Sequence, residues 1–480
     1  MKKILSMLLV MAMVLALAAC GGSTGGGENG GQDGAGSGGD DGVFMAGFGM
    51  QDITPKDSVP MASYGDLRFS SGLYSYLEAR AVAVKGTNGE LLLFVVGDVS
   101  WCPASLGNVI KDELSGELGI PKANIILSGT HTHASVDTGK TEYSSVGEFN
   151  KRYIAGMKKA AHLAVEDLKP AEIYVGSVMT EGMNFVRRYI MDDGSLCGDN
   201  AYGTGTVIDH HETEADAELQ IMRLAREDGK DIVVTNFQAH PHLEGKTPNL
   251  SSQTVGAIRT AVEKNMGVHS LHWNGAAGNL NSNSRIAEEK KYTTSDTAKY
   301  GEDMCKYIQS VYNDLTKVNA GPAKVIEYTF QGKVNHLWDH MATEAQIVAD
   351  YFTEVNDGGL AAQFAWTYGL NSGYHARRIL GNSKLGDYQD LTMVAWSFGD
   401  VGGVVNAFEM FDTTAMYIKE NSPFERTFIV GYSYPGGGGY IPTKEGFENG
   451  GYEADNSVFA PGTAEEIADQ YLSMLNEMHG

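Results

Sequence analysis

From residue 43 onward, short apolar runs alternate with longer amphipathic stretches. Runs rich in β-branched and aromatic residues predict strands over 79–84, 91–96, 124–127, 173–178, 232–237, 325–330, 393–398 and 427–430. Apolar positions at helical spacing predict helices over 148–168, 255–265, 296–315 and 464–478. Thr463 is placed as the N-cap of the last, with Glu465 and Glu466 in its first turn. No repeat period and no long polar linker interrupts 43–480. The pattern reads as one large mixed α/β body, least regular over 320–384, where a second domain has room to hide.

The first 42 residues follow a different pattern. Lys2 and Lys3 precede an apolar run that ends in Leu17-Ala18-Ala19-Cys20. A basic start, a short apolar run, small residues and a cysteine resemble a bacterial lipoprotein leader. Residues 1–19 then form the signal peptide, and Cys20 is the lipidated first residue of an extracytoplasmic protein anchored to a bacterial membrane. Residues 20–42 read as a tether, since 21–42 hold twelve of the chain's 60 glycines and almost nothing to bury. No later run is long and apolar enough for a membrane-spanning helix.

Charge narrows the partners. Lys and Arg number 36 against 60 Asp and Glu, a net charge of −24, which argues against nucleic acid and favours a neutral or amine-containing substrate. Cys102, Cys197 and Cys305 are odd in number and widely spaced, so neither a disulfide framework nor a cysteine metal site is expected.

Candidate chemistry gathers behind predicted strands. Ser128-Gly129-Thr130-His131-Thr132-His133 follows one of them, and in extended backbone its two imidazoles would point to the same side. A second buried run leads into His240-Pro241-His242, a rigid place for a metal ligand. His210 and His211 read as a solvated polar loop. The run from Trp273 to Asn281 is small and glycine-rich, suited either to presenting backbone amides to a bound group or to a plain tight turn. It lacks nucleotide-binding glycine spacing.

These motifs, together with Gly47-Phe48-Gly49-Met50-Gln51-Asp52-Ile53-Thr54-Pro55, resemble neutral (non-lysosomal) ceramidases and their bacterial relatives, in matching order over roughly 46–470. The resemblance implies a mixed α/β catalytic domain over 43–480 and a Zn2+ ion held by His131, His240, Glu409 and Tyr440. It makes His133 the non-ligand histidine of the pair and Tyr452 a second active-site tyrosine. Arg187 matches an active-site arginine, with Arg188 one position away. Two imidazoles, a carboxylate and a phenolic oxygen suit zinc, which makes water nucleophilic near neutral pH. The implied activity is hydrolysis of an amide bond in an N-acyl, sphingolipid-like substrate.

Two departures separate this sequence from that family. The family's serine, in a G-[DN]-x-S-P-N segment, falls on Asn281, which cannot be a nucleophile but can hydrogen-bond a carbonyl. Characterised ceramidases also continue into an immunoglobulin-like C-terminal domain, and the reading here is of a member without one. Alternatives are an ester- or sugar-directed hydrolase and a non-catalytic solute-binding lipoprotein.

Overall fold

A computed structural model describes residues 42–198, 207–436 and 438–480. The leader, Cys20 and nearly all of the tether lie outside the described residues. Residues 40–480 form one compact unit.

Two sheets make up its centre. The larger has nine strands, ordered His269–Asn274, Ile232–Phe237, Glu218–Arg226, Lys169–Met179, Met45–Asp52, Glu78–Lys85, Leu91–Gly97 and Ile125–Gly129, with the short Thr316–Val318 also paired to Lys169–Met179. The smaller sheet runs Ala323–Lys333, Tyr388–Phe398, Val401–Val405 and Arg426–Val430. Between the sheets lies an aromatic-rich core in which Phe94, Trp273, Trp396 and Phe428 pack together. The helices Ala104–Leu118, Ser144–Glu166, Gln253–Met266 and Thr297–Val311 cover the far face of the large sheet. Asp412–Asn421 and Thr463–His479 cover that of the small one. The strand Ile232–Phe237 is buried at every position because both its faces are covered, which is why it reads as a continuous apolar run.

Every predicted strand and helix is present, the strand Ile232–Phe237 with the same ends and the others with shifted ones. One cap differs: Gly462, with a left-handed backbone, occupies the N-cap, and Thr463 begins the helix. The strand Met45–Asp52, which no period-two pattern announced, carries Gly47 and Gly49 toward the helix Ser144–Glu166. An added Cβ on either would meet a helix carbonyl oxygen at 2.0 Å, so only glycine lets sheet and helix approach this closely. The irregular stretch 320–384 holds a strand and three helices, Ala342–Val355, Gly358–Trp366 and Gly373–Asn382. They pack around Ala345, Val348, Ala365 and Leu370 and belong to the same unit.

Candidate active site

Within the two large sheets, three described strand pairs run parallel: Leu91–Gly97 with Ile125–Gly129, Ile232–Phe237 with His269–Asn274, and Val401–Val405 with Arg426–Val430. Loops leaving the carboxyl ends of such strands are where α/β folds place ligands. The Asn236 amide locks the two sheets at this end, donating to Trp273 O and Ile429 O and accepting from Ile429 N at 3.0 Å. Gly129 N donates to Tyr432 O and Gly431 N to Asn274 O, which stitches the loops to each other.

His131 stands two residues past one strand and His240 three past another. The Thr-His-Thr-His run is not extended, contrary to the sequence reading: His131 has φ 64°, and its N–H is held by Val99 O at 3.1 Å. Such a backbone costs about 1–2 kcal/mol in a residue with a side chain. The surrounding hydrogen bonds and a stack on Tyr432, ring centroids 3.9 Å apart, hold it there. The turn still brings His131 Nε2 within 3.2 Å of His133 Nε2.

His131 Nδ1 lies 3.0 Å from Ser100 O, and His240 Nδ1 lies 2.7 Å from Ala277 O and 3.0 Å from Leu280 O. These carbonyls accept the Nδ1 proton and leave each Nε2 with a lone pair. Burial holds His131 down to about 3 and His240 well below the ordinary imidazole range, so both are neutral. Their lone pairs face Glu409, whose Oε2 is 3.0 Å from His240 Nε2 and 3.7 Å from His131 Nε2. Glu409 Oε2 is buried without a hydrogen-bond donor. Converging acceptors of this kind fit a cation, and borderline nitrogen and oxygen donors fit zinc among the common ones. His131, His133 and His240 offer nitrogens within 4.8 Å of one another. His133 differs from the other two, since its Nδ1 is buried without a partner.

Glu409 and Tyr440 are register partners in a short parallel ladder, which sets the two side by side. The Tyr440 hydroxyl hydrogen-bonds the Glu409 carboxylate, and burial pushes the phenol well above its usual range. Tyr452 opens a short helix and packs edge-on against Tyr440 at 5.4 Å. The Arg187 guanidinium lies over both rings, 5.3 and 5.9 Å from their centroids. Its Nε donates to Glu453 Oε1 at 2.9 Å and its Nη2 to Gly278 O at 2.8 Å. Arg188 points elsewhere. It is fully buried on Glu212, Glu453 and the carbonyls of Gly446 and Gly450, so it serves the scaffold.

A cavity of about 550 Å3 joins these groups, with His131, His133, Arg187, Glu409, Tyr440 and Tyr452 in its wall. His240 lies buried behind it. The glycine-rich loop after His269–Asn274 turns carbonyls, not amides, toward the site, where Ala277, Gly278 and Leu280 accept from His240 and Arg187. Asn281 is a bridge partner of His240, but its side chain lines a neighbouring cavity with His242. His210 is exposed beside Asp209, while His211 is partly buried against Glu289. Sequence reading did not single out Tyr64, Trp101, Tyr374 or Arg285, which also line the site cavity. Only the His-Pro-His spacing gave any sign of His242.

The fold is similar to two solved structures. One is a ceramidase complexed with C2, at TM-score 0.68 and 14% identity, covering 92% of this chain and 76% of that one. The other is neutral ceramidase from Pseudomonas aeruginosa, at TM-score 0.69 and 15% identity, covering 92% and 75%. The family described as neutral/alkaline non-lysosomal ceramidase, N-terminal, matches residues 44–324, more than half of the sequence, and the chain belongs to that family.

Proposed function

We propose that this protein is a zinc-dependent hydrolase of N-acyl amides, tethered outside the cytoplasm through lipidated Cys20. One observation carries the catalytic part: His131 Nε2, His240 Nε2 and Glu409 Oε2 converge as buried acceptors at the wall of a cavity that Arg187 and tyrosines also line. His131, His240, Glu409 and Tyr440 are assigned as the ligands. Zinc held there supplies Lewis acidity toward a carbonyl and makes water a competent nucleophile near neutral pH.

The chain's own groups do the rest. Arg187 and Tyr452 are donors placed for charge that develops on the amide oxygen. Tyr440 is close enough to both to share that field. His133 has one nitrogen facing His131 and the other without a partner, a layout suited to passing a proton to the departing amine. Asn281 cannot form an acyl intermediate, so the nucleophile is assigned to water.

Parallel assays of N-acyl-sphingosine, simpler N-acyl amines and matched esters test this reading. Amide cleavage that is lost in His131→Ala and in His240→Ala supports it. Faster cleavage of esters moves the protein to a different hydrolase class. Recovery of every substrate unchanged from zinc-loaded protein favours a solute-binding role. The tether is tested by labelled fatty acid, which wild type incorporates and Cys20→Ser does not.

A further inference from the structure

Four segments that bring site groups together each carry a buried polar side chain close by in the chain. Asn184 precedes Arg187, Gln238 precedes His240, Asn279 follows the Gly278 carbonyl, and Asp412 follows Glu409. All four are at most 6% exposed, and none belongs to the wall of the site cavity. They meet at the Asp216 backbone. Its carbonyl accepts from Asn184 Nδ2 and Gln238 Nε2, both at 2.7 Å, and its N–H donates to Asp412 Oδ2 at 3.0 Å. Asn279 joins through Asp412. Its Nδ2 donates to Asp412 Oδ1 at 2.7 Å, and Asp412 N donates back to Asn279 Oδ1 at 3.0 Å. Asn279 O in turn accepts from Arg187 N at 2.8 Å.

A fully buried carboxylate is costly unless donors surround it. Asp412 accepts N–H donors from Asn279, Asp216 and Thr413, the first two on different oxygens. An amide in its place would turn an N–H toward one of them, whereas a carboxylate accepts on both oxygens. Burial pushes the carboxyl up to about 6 and the Asn279 amide pulls the other way, so it is ionised at pH 8. The neighbouring Asp216 carboxylate is engaged by Lys419 Nζ at 2.6 Å and by Glu218 N at 3.1 Å. Asp412 also opens the helix Asp412–Asn421, where negative charge is favourable. That role accounts for the Thr413 contact and not for a reciprocal pair with Asn279, 133 positions away.

We propose that Asp412 is a positioning residue whose carboxylate locks Asn279 and so fixes the Arg187 guanidinium and the Glu409 carboxylate relative to each other. Asn279 is the intermediary, because Gly278 O, one residue before it, holds Arg187 Nη2 at 2.8 Å. The inference rests on the reading of Glu409 and the two histidines as metal ligands and adds the groups that hold this set in place. Outer partners of this kind are worth about ten- to a hundredfold in metal affinity.

The pair can be reversed. In Asp412→Asn an N–H faces either Asn279 Nδ2 or Asp216 N, and in Asn279→Asp two carboxylates face each other. The double variant restores the reciprocal pair with donor and acceptor exchanged, and loses the Thr413 bond alone. Full-length protein is titrated with zinc at pH 8 against a chromophoric chelator, at a temperature where circular dichroism shows each variant folded. Each single change is expected to weaken zinc at least about tenfold, and the double variant to return to within about threefold of wild type. A second readout needs no metal. In chelator-treated protein carrying isotope-labelled arginine, the Arg187 Nε–H resonance is identified by its loss in Arg187→Lys. It is expected to move in both single variants and to return in the double one.

Full zinc affinity or an unmoved resonance in Asp412→Asn overturns the proposal and leaves Asp412 to the helix end. A double variant no better than the single ones overturns it as well. If wild type takes up no zinc, the ligand assignment fails and the resonance alone decides. If Asp412→Asn does not fold, the double variant decides: wild-type resonance and affinity support the lock, and any other result overturns it. Neither readout requires turnover, so failure of the hydrolase reading is told apart from failure of the lock.

Discussion

Glu409 Oε2 stands 3.0 Å from His240 Nε2 and is buried without a hydrogen-bond partner, and burial pushes its carboxyl above the usual range. The Nδ1 hydrogen of His240 is held by Ala277 O and Leu280 O, and burial disfavours a second proton on the ring. An ionised carboxylate and a buried ring nitrogen at this separation repel each other unless a cation joins them, and without one burial drives the carboxyl toward its protonated form.

Zinc should therefore raise the melting temperature of chelator-treated protein, by about 2.7 kcal/mol of added stability at a hundredfold excess over Kd. Glu409→Gln should act in opposite directions on the two forms. An amide can donate to His240 Nε2, so the metal-free variant melts no lower than metal-free wild type. The zinc-induced shift, read by calorimetry, shrinks sharply. A full zinc shift in Glu409→Gln would remove the carboxylate from the ligand set.

Glu453 is the clamp on Arg187. It accepts from Arg187 Nε at 2.9 Å and from Arg188 Nη1 at 3.0 Å while itself only 1% exposed. Glu453→Gln leaves the buried Arg187 guanidinium short of its carboxylate partner, while Arg188 keeps Glu212, and should cost about 3 kcal/mol in urea unfolding. If Arg187 stabilises charge on the amide oxygen, kcat also falls by about a hundredfold with little change in KM, assayed well below the variant's melting temperature. A loss of stability with kcat intact would confine Glu453 to the scaffold.

Local signals carried much of the site into the sequence. The Thr-His-Thr-His run and the buried strand before His240 are contiguous, so periodicity and spacing expose them. The strand Met45–Asp52 was hidden by Gly47 and Gly49, which packing against a helix demands and strand propensity disfavours. The left-handed backbone at His131 was equally hidden, because contacts with Val99 and Tyr432 impose it from outside the segment. Glu453 and Arg187 meet across the whole body, and no local pattern announces a pair so far apart in the chain.

Gly278 ties the glycine-rich loop to the Glu409 strand. Its N–H donates to Met410 O at 2.8 Å, and its carbonyl accepts from Arg187 Nη2. An added Cβ would meet Glu409 O at 2.5 Å and Met410 O at 2.8 Å, and backbone cannot swing aside as a flexible side chain can. Gly278→Ala should destabilise the protein by about 1–3 kcal/mol. It should also weaken zinc binding, measured by competition with a chromophoric chelator, because Glu409 and Arg187 shift together. Unaltered zinc affinity would show that the loop does not set the position of Glu409.

Acid sensitivity should be built into the core through His272. It is buried between strands with Nδ1 2.8 Å from Thr235 Oγ1, and burial, with a smaller contribution from Arg259, holds its pKa down to about 3. In the unfolded chain the imidazole titrates at about 6.5. Between these values the unfolded state binds a proton that the folded state refuses. The contribution of this group is therefore complete above about pH 6.5 and declines as pH falls toward 3. Gln in its place is neutral throughout, so His272→Gln should lose less of its urea midpoint between pH 7 and pH 4 than wild type does. The histidines of the site are common to both proteins and cancel in the comparison. Equal losses in the two would mean that His272 does not carry the acid sensitivity assigned to it.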